Sequence, residues 1–186
     1  MAERVKKRSE IREQDTWKLE DMIASPEKFE ELADGVEERI PGYETYRGKL
    51  GSSADLLKSY LEFDESMDET ISLLYAYAMQ KRDQDTSVSE NQALVSRVQS
   101  LAVKAMAASS FAQPEILEIP DETMNGFLET DELKAYKLQI ERLLAKKPHM
   151  LSEKEEAILA SASEIAHTPS SVFSLFNNAD LKFDPV

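Results

Sequence analysis

Apolar side chains recur along most of this chain at the spacing of three and four residues that is typical of an amphipathic helix, and strand-like alternation is nearly absent. The first clear helix is predicted to begin after Ser25, an N-cap residue, with Pro26 at its first position. Its apolar stripe contains Phe29, Leu32, Ala33, Val36 and Ile40. Pro41-Gly42 must end or kink this helix, and we predict a kink because the stripe resumes in phase at Tyr43.

Three further apolar stripes lie between residues 52 and 105. Gly48 and Gly51 mark a turn, and Ser52 or Ser53 is expected to cap the segment that follows. Asp85-Thr86-Ser87 interrupts the pattern before the last stripe. Their spacing predicts long antiparallel helices with short connections. The three stripes contain Leu56, Leu57, Tyr60 and Leu61; Met67, Ile71, Leu74, Tyr75 and Ala78; and Leu94, Val98, Leu101 and Ala105.

The pattern changes at Pro114, where we place a domain boundary. Residues 113–130 are interrupted by prolines and a glycine and are predicted to form two short helices. Thr130 is predicted to cap a helix that ends at Pro148, a capping box of Ser152 and Glu155 to start the next, and Thr168-Pro169 to open the last. The apolar faces of these three helices contain Leu133, Tyr136, Ile140, Leu143 and Leu144; Ile158, Leu159, Ala162 and Ile165; and Val172, Phe173, Leu175 and Phe176.

The predicted fold class is therefore all-α: long antiparallel helices in a bundle-like arrangement, then shorter helices, with an extended segment that starts at the C-terminus. Alternating apolar and polar residues in Leu181-Lys182-Phe183-Asp184 indicate that extended segment. The predicted organisation is a flexible tail over residues 1–14, an N-terminal helical bundle over residues 15–112 and a second helical segment over residues 113–186.

The chain is strongly acidic, with 36 acidic and 22 basic residues and a net charge of −14. Such a surface repels phosphate backbones and anionic lipids, so no nucleic-acid or membrane partner is expected. The chain contains no cysteine, which excludes disulfides, thiolate metal sites and a cysteine nucleophile. The first twenty residues offer no apolar signal core, and no stretch has the composition of a membrane span, so a cytoplasmic location is predicted.

The candidate catalytic residues are few. A zinc peptidase site commonly uses two histidines four residues apart on one helix, whereas His149 and His167 are the only histidines and lie 18 residues apart. Both are predicted to be structural, the first in a loop and the second at a helix C-terminus. Ser109-Ser110 lacks the strand-turn elbow of a serine nucleophile, and Trp17 is predicted to be a packing anchor. We therefore assign no catalytic, metal-binding or cofactor-binding residue.

Short motifs spanning nearly the whole chain carry a family resemblance. They are Asp15-Thr16-Trp17-Lys18-Leu19-Glu20; Tyr46-Arg47-Gly48-Lys49-Leu50; Leu74-Tyr75-Ala76-Tyr77-Ala78-Met79; Phe111-Ala112-Gln113-Pro114-Glu115-Ile116-Leu117; Ile140-Glu141-Arg142 through Lys147-Pro148-His149-Met150-Leu151-Ser152 with Glu155-Glu156; and Asn178-Ala179-Asp180-Leu181-Lys182-Phe183. In this order they resemble the N-terminal part of oligoendopeptidase F, in the thimet-oligopeptidase-like group of zinc metallopeptidases. The fifth motif is the most specific.

The resemblance implies an N-terminal helical region of a zinc metalloendopeptidase that acts on oligopeptides. In this family a largely helical body encloses a deep channel with zinc at its floor. The N-terminal helices form part of the wall or roof, which restricts entry to short, unfolded peptides. The family's catalytic segment lies far beyond position 186, so no catalytic or zinc-binding residue is carried over. Zinc is expected in the full-length protein and not in this chain.

Two functions remain open from the sequence. The first is a region of a peptidase, whose partner is the C-terminal catalytic part of the same protein and whose residues 113–186 dock on that part. By itself, such a chain is expected to expose Phe173 and Phe176, and then to self-associate or to bind the catalytic part. The second is a stand-alone acidic helical interaction module, an adaptor or inhibitor without a peptidase role. The residues do not indicate a peptide sequence preference.

Overall fold

The apolar stripes form helices in the computed structural model, which describes residues 10–85 and 88–149 together with Pro169, Val172 and Phe173. The chain divides into two compact units, residues 1–141 and 142–186. No strand occurs among the described residues, which confirms the predicted all-α fold. Short 3-10 helices span Glu13–Asp15, Leu19–Asp21, Ile40–Thr45 and Lys147–His149. The α-helices are α1 (Pro26–Arg39), α2 (Ala54–Gln84), α3 (Ser89–Ser109), α4 (Ala112–Glu118), α5 (Asp121–Leu128) and α6 (Lys137–Leu144).

Helix α1 begins as its capping residues predict. The Ser25 hydroxyl accepts a hydrogen bond from the Lys28 backbone amide at 3.3 Å, and Pro26 occupies the first turn. We predicted that α1 continues past Pro41-Gly42 with a kink, and this is wrong. Helix α1 ends at Arg39, and the chain continues as the 3-10 helix Ile40–Thr45. Proline removes a backbone donor that an α-helix would need, and the tighter helix still places Tyr43 in the core.

Helix α2 is a single helix of 31 residues, where the sequence pattern predicted two consecutive segments. Ser53 is its cap, since its hydroxyl accepts a hydrogen bond from the Leu56 amide at 3.1 Å. Tyr77 belongs to the buried face with 4% exposure, whereas the predicted Tyr75 is 40% exposed. The buried side chains of α2 are Leu57, Tyr60, Leu61, Met67, Leu74, Tyr77 and Ala78.

The directions of α1, α2 and α3 follow from contacts near their ends. Phe29, near the start of α1, packs on Tyr77 in the last part of α2 with ring centroids 5.7 Å apart. Arg39, at the end of α1, donates to the Ser66 hydroxyl in the first half of α2 at 3.0 Å, so these helices are antiparallel. In the first turn of α3, the side-chain amide of Asn91 donates to the Lys81 backbone carbonyl at 3.0 Å, close to the end of α2. Helices α2 and α3 are therefore also antiparallel. The buried side chains of α3 are Val95, Val98, Leu101 and Ala105.

The helices after Pro114 are shorter. The two predicted between residues 113 and 130 are confirmed as α4 and α5. The prediction that Thr130 caps the next helix is wrong. Its hydroxyl donates back to the Phe127 carbonyl at 2.7 Å, and α6 begins only at Lys137. The intervening turns still bury Leu133. The predicted boundary at residue 113 stays a prediction.

Aromatic side chains join the 3-10 helix Ile40–Thr45 to α2. The rings of Tyr43 and Phe63 meet edge to face with centroids 4.9 Å apart, and Tyr46 lies 5.6 Å from both Phe63 and Tyr60. Gly42 faces this cluster, and a Cβ at that position would lie 3.0 Å from the Phe63 ring. A side chain at residue 42 would therefore disturb the contact between the 3-10 helix and α2.

Glu115 at the start of α4 holds the turn between α1 and α2. Its carboxylate accepts hydrogen bonds from the backbone amides of Gly48 at 2.8 Å and Leu50 at 2.6 Å. Gly48 has a positive φ of 75°, a conformation that glycine adopts without steric cost. One charged side chain thus satisfies two backbone donors from a segment 65 residues earlier in the chain.

The second unit is described only in part. Within it, the Lys146 amide donates to the Leu143 carbonyl at 3.0 Å. Pro169, Val172 and Phe173 are helical, in agreement with the short helix predicted after Thr168, and Val172 and Phe173 are exposed. The predicted capping box at Ser152 and Glu155, the side chain of Phe176 and the extended segment at residues 181–184 lie outside the described residues.

We predict that Glu115→Ala destabilises the chain by about 1–2 kcal/mol, because the partly buried Leu50 amide and the exposed Gly48 amide both lose a charged acceptor. Urea unfolding followed by circular dichroism measures this change. The matched control is Glu118→Ala in the same helix, where the side chain is exposed and the expected change is below about 0.5 kcal/mol. Equal unfolding free energies for the two variants would contradict the role assigned to Glu115.

Candidate functional site

The residues weighed as catalytic candidates do not come together in the described structure. His149 lies at the end of the 3-10 helix Lys147–His149, and His167 lies outside the described residues. Within residues 10–85 and 88–149, no group of three His, Cys, Asp or Glu side chains is placed to hold a metal ion. The Ser109 and Ser110 hydroxyls donate to the carbonyls of Met106 and Ala107, at 3.3 and 2.8 Å, as serines near a helix end commonly do.

Ion pairs fasten α3 to α1 along one side of the bundle. The Arg97 guanidinium donates to the carboxylates of Glu30 and Asp34, the latter at 2.6 Å. About two turns further along α3, the Lys104 ammonium donates to Glu37 at 2.5 Å. This hydrogen bond lowers the pKa of the Glu37 carboxyl. These side chains are partly exposed, so each pair contributes little to the free energy of unfolding. The pairs set the register of the two helices.

Two tyrosines bind carboxylates of α2 and have raised pKa values. The Tyr43 hydroxyl donates to Asp64 at 2.7 Å, and burial together with this hydrogen bond raises the pKa of Tyr43. The Tyr136 hydroxyl donates to Glu65 at 2.8 Å, where desolvation and this hydrogen bond raise the pKa of Tyr136 to about 12. Burial also raises the pKa of Tyr60, near the charges of Asp64 and Glu115. These acidic side chains thus have structural partners.

A cleft at the N-terminal end of the described chain has a different character. Trp17 is 85% exposed, so its predicted role as a packing anchor within this chain is wrong. The core position in this segment belongs instead to Leu19, which is 2% exposed. The Trp17 cleft has a volume of about 470 Å³, and its lining residues are Glu13, Gln14, Thr16, Trp17, Lys18, Glu20, Lys81 and Gln84.

Other large apolar side chains are also exposed on the helices. Val103 and Met106 lie one turn apart on the outer face of α3 and are 64% and 69% exposed. Among the helices that the structure describes, none has the length and apolar composition needed to cross a bilayer.

The family relation comes from sequence comparison. The family model described as Oligopeptidase F matches residues 115–183. Oligopeptidase PepF of Bacillus subtilis (strain 168) is 42% identical over 180 residues, which are 96% of this chain and 27% of that protein. The chain is related to the oligoendopeptidase F-type peptidases and matches their N-terminal region. It spans less than a third of the length of this curated relative.

Solved structures agree with the relation to oligoendopeptidase F. The crystal structure of oligoendopeptidase-F from Enterococcus faecium matches with a TM-score of 0.65 and 32% identity, over 87% of this chain and 32% of that one. A second crystal structure, from Chlamydophila abortus, has a TM-score of 0.77 over 97% of this chain and 31% of its own. Its identity is 23%, so that match shows the fold alone.

The raised tyrosine pKa values predict alkaline sensitivity. The neutral phenol is favoured in the folded state, so the stability from Tyr43 and Tyr136 is fully present below pH ~10 and is lost as pH rises through their folded-state pKa values. We expect the urea midpoint to fall between pH 9 and 12, measured by circular dichroism (roughly the interval around the phenol pKa). Tyr136→Phe should show a smaller fall over this interval, and an identical fall in variant and parent would contradict the assignment.

Proposed function

We propose that this chain is the N-terminal helical region of an oligoendopeptidase F-like zinc metalloendopeptidase, in which it forms part of the wall or roof of a channel that admits short peptides. The catalytic part of the same protein is its partner, an oligopeptide is the substrate of the whole protein, and the cytoplasm is its location. The chain contributes no catalytic residue. The observation that carries this proposal is the match of 96% of the chain to less than a third of a named oligopeptidase.

The first unit has features that suit a rigid wall. Its core is continuous through α1, α2 and α3, and the Arg97 and Lys104 ion pairs fix α3 against α1. Glu115 ties the turn before α2 to α4. A wall of a substrate channel has to keep its shape while peptides pass, and a helical bundle held by charged hydrogen bonds between distant segments meets that requirement.

Zinc chemistry is assigned to the rest of the proposed protein. A catalytic zinc needs three protein ligands and an open position for water, and it activates that water as the nucleophile. The described residues do not offer a three-ligand group, so they do not fit the ion. No step of peptide hydrolysis is therefore derived from this chain, and its proposed contribution is to enclose the substrate.

A chimera tests this function. We would replace the matched 180-residue region of Bacillus subtilis oligopeptidase PepF with this chain and measure the cleavage of a fluorogenic short peptide. We expect kcat/KM within about tenfold of the parent enzyme, because the chain supplies enclosure and no reacting group. A folded protein should remain uncut by the chimera.

The control is the parent enzyme without the matched region, which should lose peptide cleavage or cut without regard to substrate size. A chimera that is folded but inactive would contradict the wall function. If the free chain then inhibits the intact parent enzyme, the result would favour the second function, an acidic helical inhibitor module.

A further inference from the structure

The exposure of Trp17 is unusual for its residue type. It is the one tryptophan of the chain, and 85% of its surface is accessible although Leu19 and Ile23, large apolar residues that follow it closely in sequence, are buried. Exposed tryptophan side chains offer a large, flat face that contributes strongly to binding when a partner covers it. Among aromatic rings, tryptophan also attracts cations most strongly over its face.

Two carboxylates and two ammonium groups line the Trp17 cleft, and the carboxylates have fewer partners within the chain. Glu13 and Glu20 line the cleft, and no ion pair in the described part of the chain engages their carboxylates. Lys18 also lines it, but its ammonium is paired with Asp21 at 2.7 Å. Lys81 is the remaining cation, and its ammonium lies 5.8 Å from the centroid of the Tyr77 ring.

Size and overall charge support the same class of ligand. A volume of about 470 Å³ accommodates an extended side chain with the neighbouring backbone, within the usual range for ligand sites. The chain's net charge of −14 attracts cations towards its surface before contact.

We propose that the Trp17 cleft binds a basic side chain, arginine or lysine, of a peptide, with the cation over the Trp17 ring and within reach of the Glu13 and Glu20 carboxylates. This binding is a property of the chain itself and does not depend on a peptidase role.

The single tryptophan makes binding directly observable. The probe is a blocked pentapeptide with two arginines separated by glycine, titrated into the full chain at low salt while tryptophan emission is recorded. We expect a saturable change in emission with a dissociation constant below about 1 mM. The same peptide with glutamates in place of the arginines should give no saturable change.

Variants distinguish the contribution of the Trp17 ring from that of the Glu13 and Glu20 carboxylates. Calorimetry measures the affinity of each variant for the arginine peptide. Trp17→Ala should weaken binding about tenfold or more, and its exposure means that folding is unaffected. The double variant Glu13→Gln and Glu20→Gln should weaken binding about three- to tenfold, while Glu118→Gln outside the cleft should change nothing. Lys81→Gln removes a like charge and should leave the affinity equal or higher.

Several outcomes would overturn the proposal. They are no saturation by the arginine peptide, tighter binding of the glutamate peptide, unchanged affinity in Trp17→Ala, or a loss of affinity in Lys81→Gln. Circular dichroism of each variant establishes that it is folded, so a loss of binding in a folded Trp17→Ala variant can be assigned to the cleft.

Discussion

Burial of one face of α2 (Ala54–Gln84) is the interaction on which the arrangement of the first unit depends. Phe29 of α1 packs against Tyr77 near the end of α2. Tyr43 of the following 3-10 helix and Tyr46, the residue just after that helix, contact Phe63 nearer the start of α2. Helix α3 runs back along it after a short connection. Because a 31-residue helix exposes a long apolar face, it is stable only when several other elements cover that face.

Charged hydrogen bonds then select one arrangement among those that hydrophobic burial allows. Burial is non-directional, whereas the Arg97 contacts to Glu30 and Asp34 and the Glu115 contacts to two backbone amides require defined positions. Many other acidic side chains remain on the surface and give the chain its net charge of −14. The acidic composition therefore has two consequences: specific cross-links between helices and a field that attracts cations.

Local sequence signals predicted the starts of α1 and α2 correctly, whereas the start of α6 and the tertiary details were not predicted. Ser25 and Ser53 act through hydrogen bonds to backbone three residues away, so their capping roles are visible in the sequence. The continuity of α2, the burial of Tyr77 in place of Tyr75 and the exposure of Trp17 depend on which elements pack nearby. A helical pattern relates residues only a few positions apart, so it does not show which elements pack nearby in the fold. For the same reason the Trp17 cleft, formed by residues 13–20 together with the end of α2, was not predicted.

We propose that this chain completes a peptidase without supplying its chemistry. Reconstitution from two separate parts tests it most directly: this chain is mixed with Bacillus subtilis oligopeptidase PepF that lacks the matched region, and light scattering and peptide cleavage are measured together. We expect a stable one-to-one complex that cleaves a short peptide, while neither part alone does so. Two parts that remain separate, or a complex without cleavage, would contradict it.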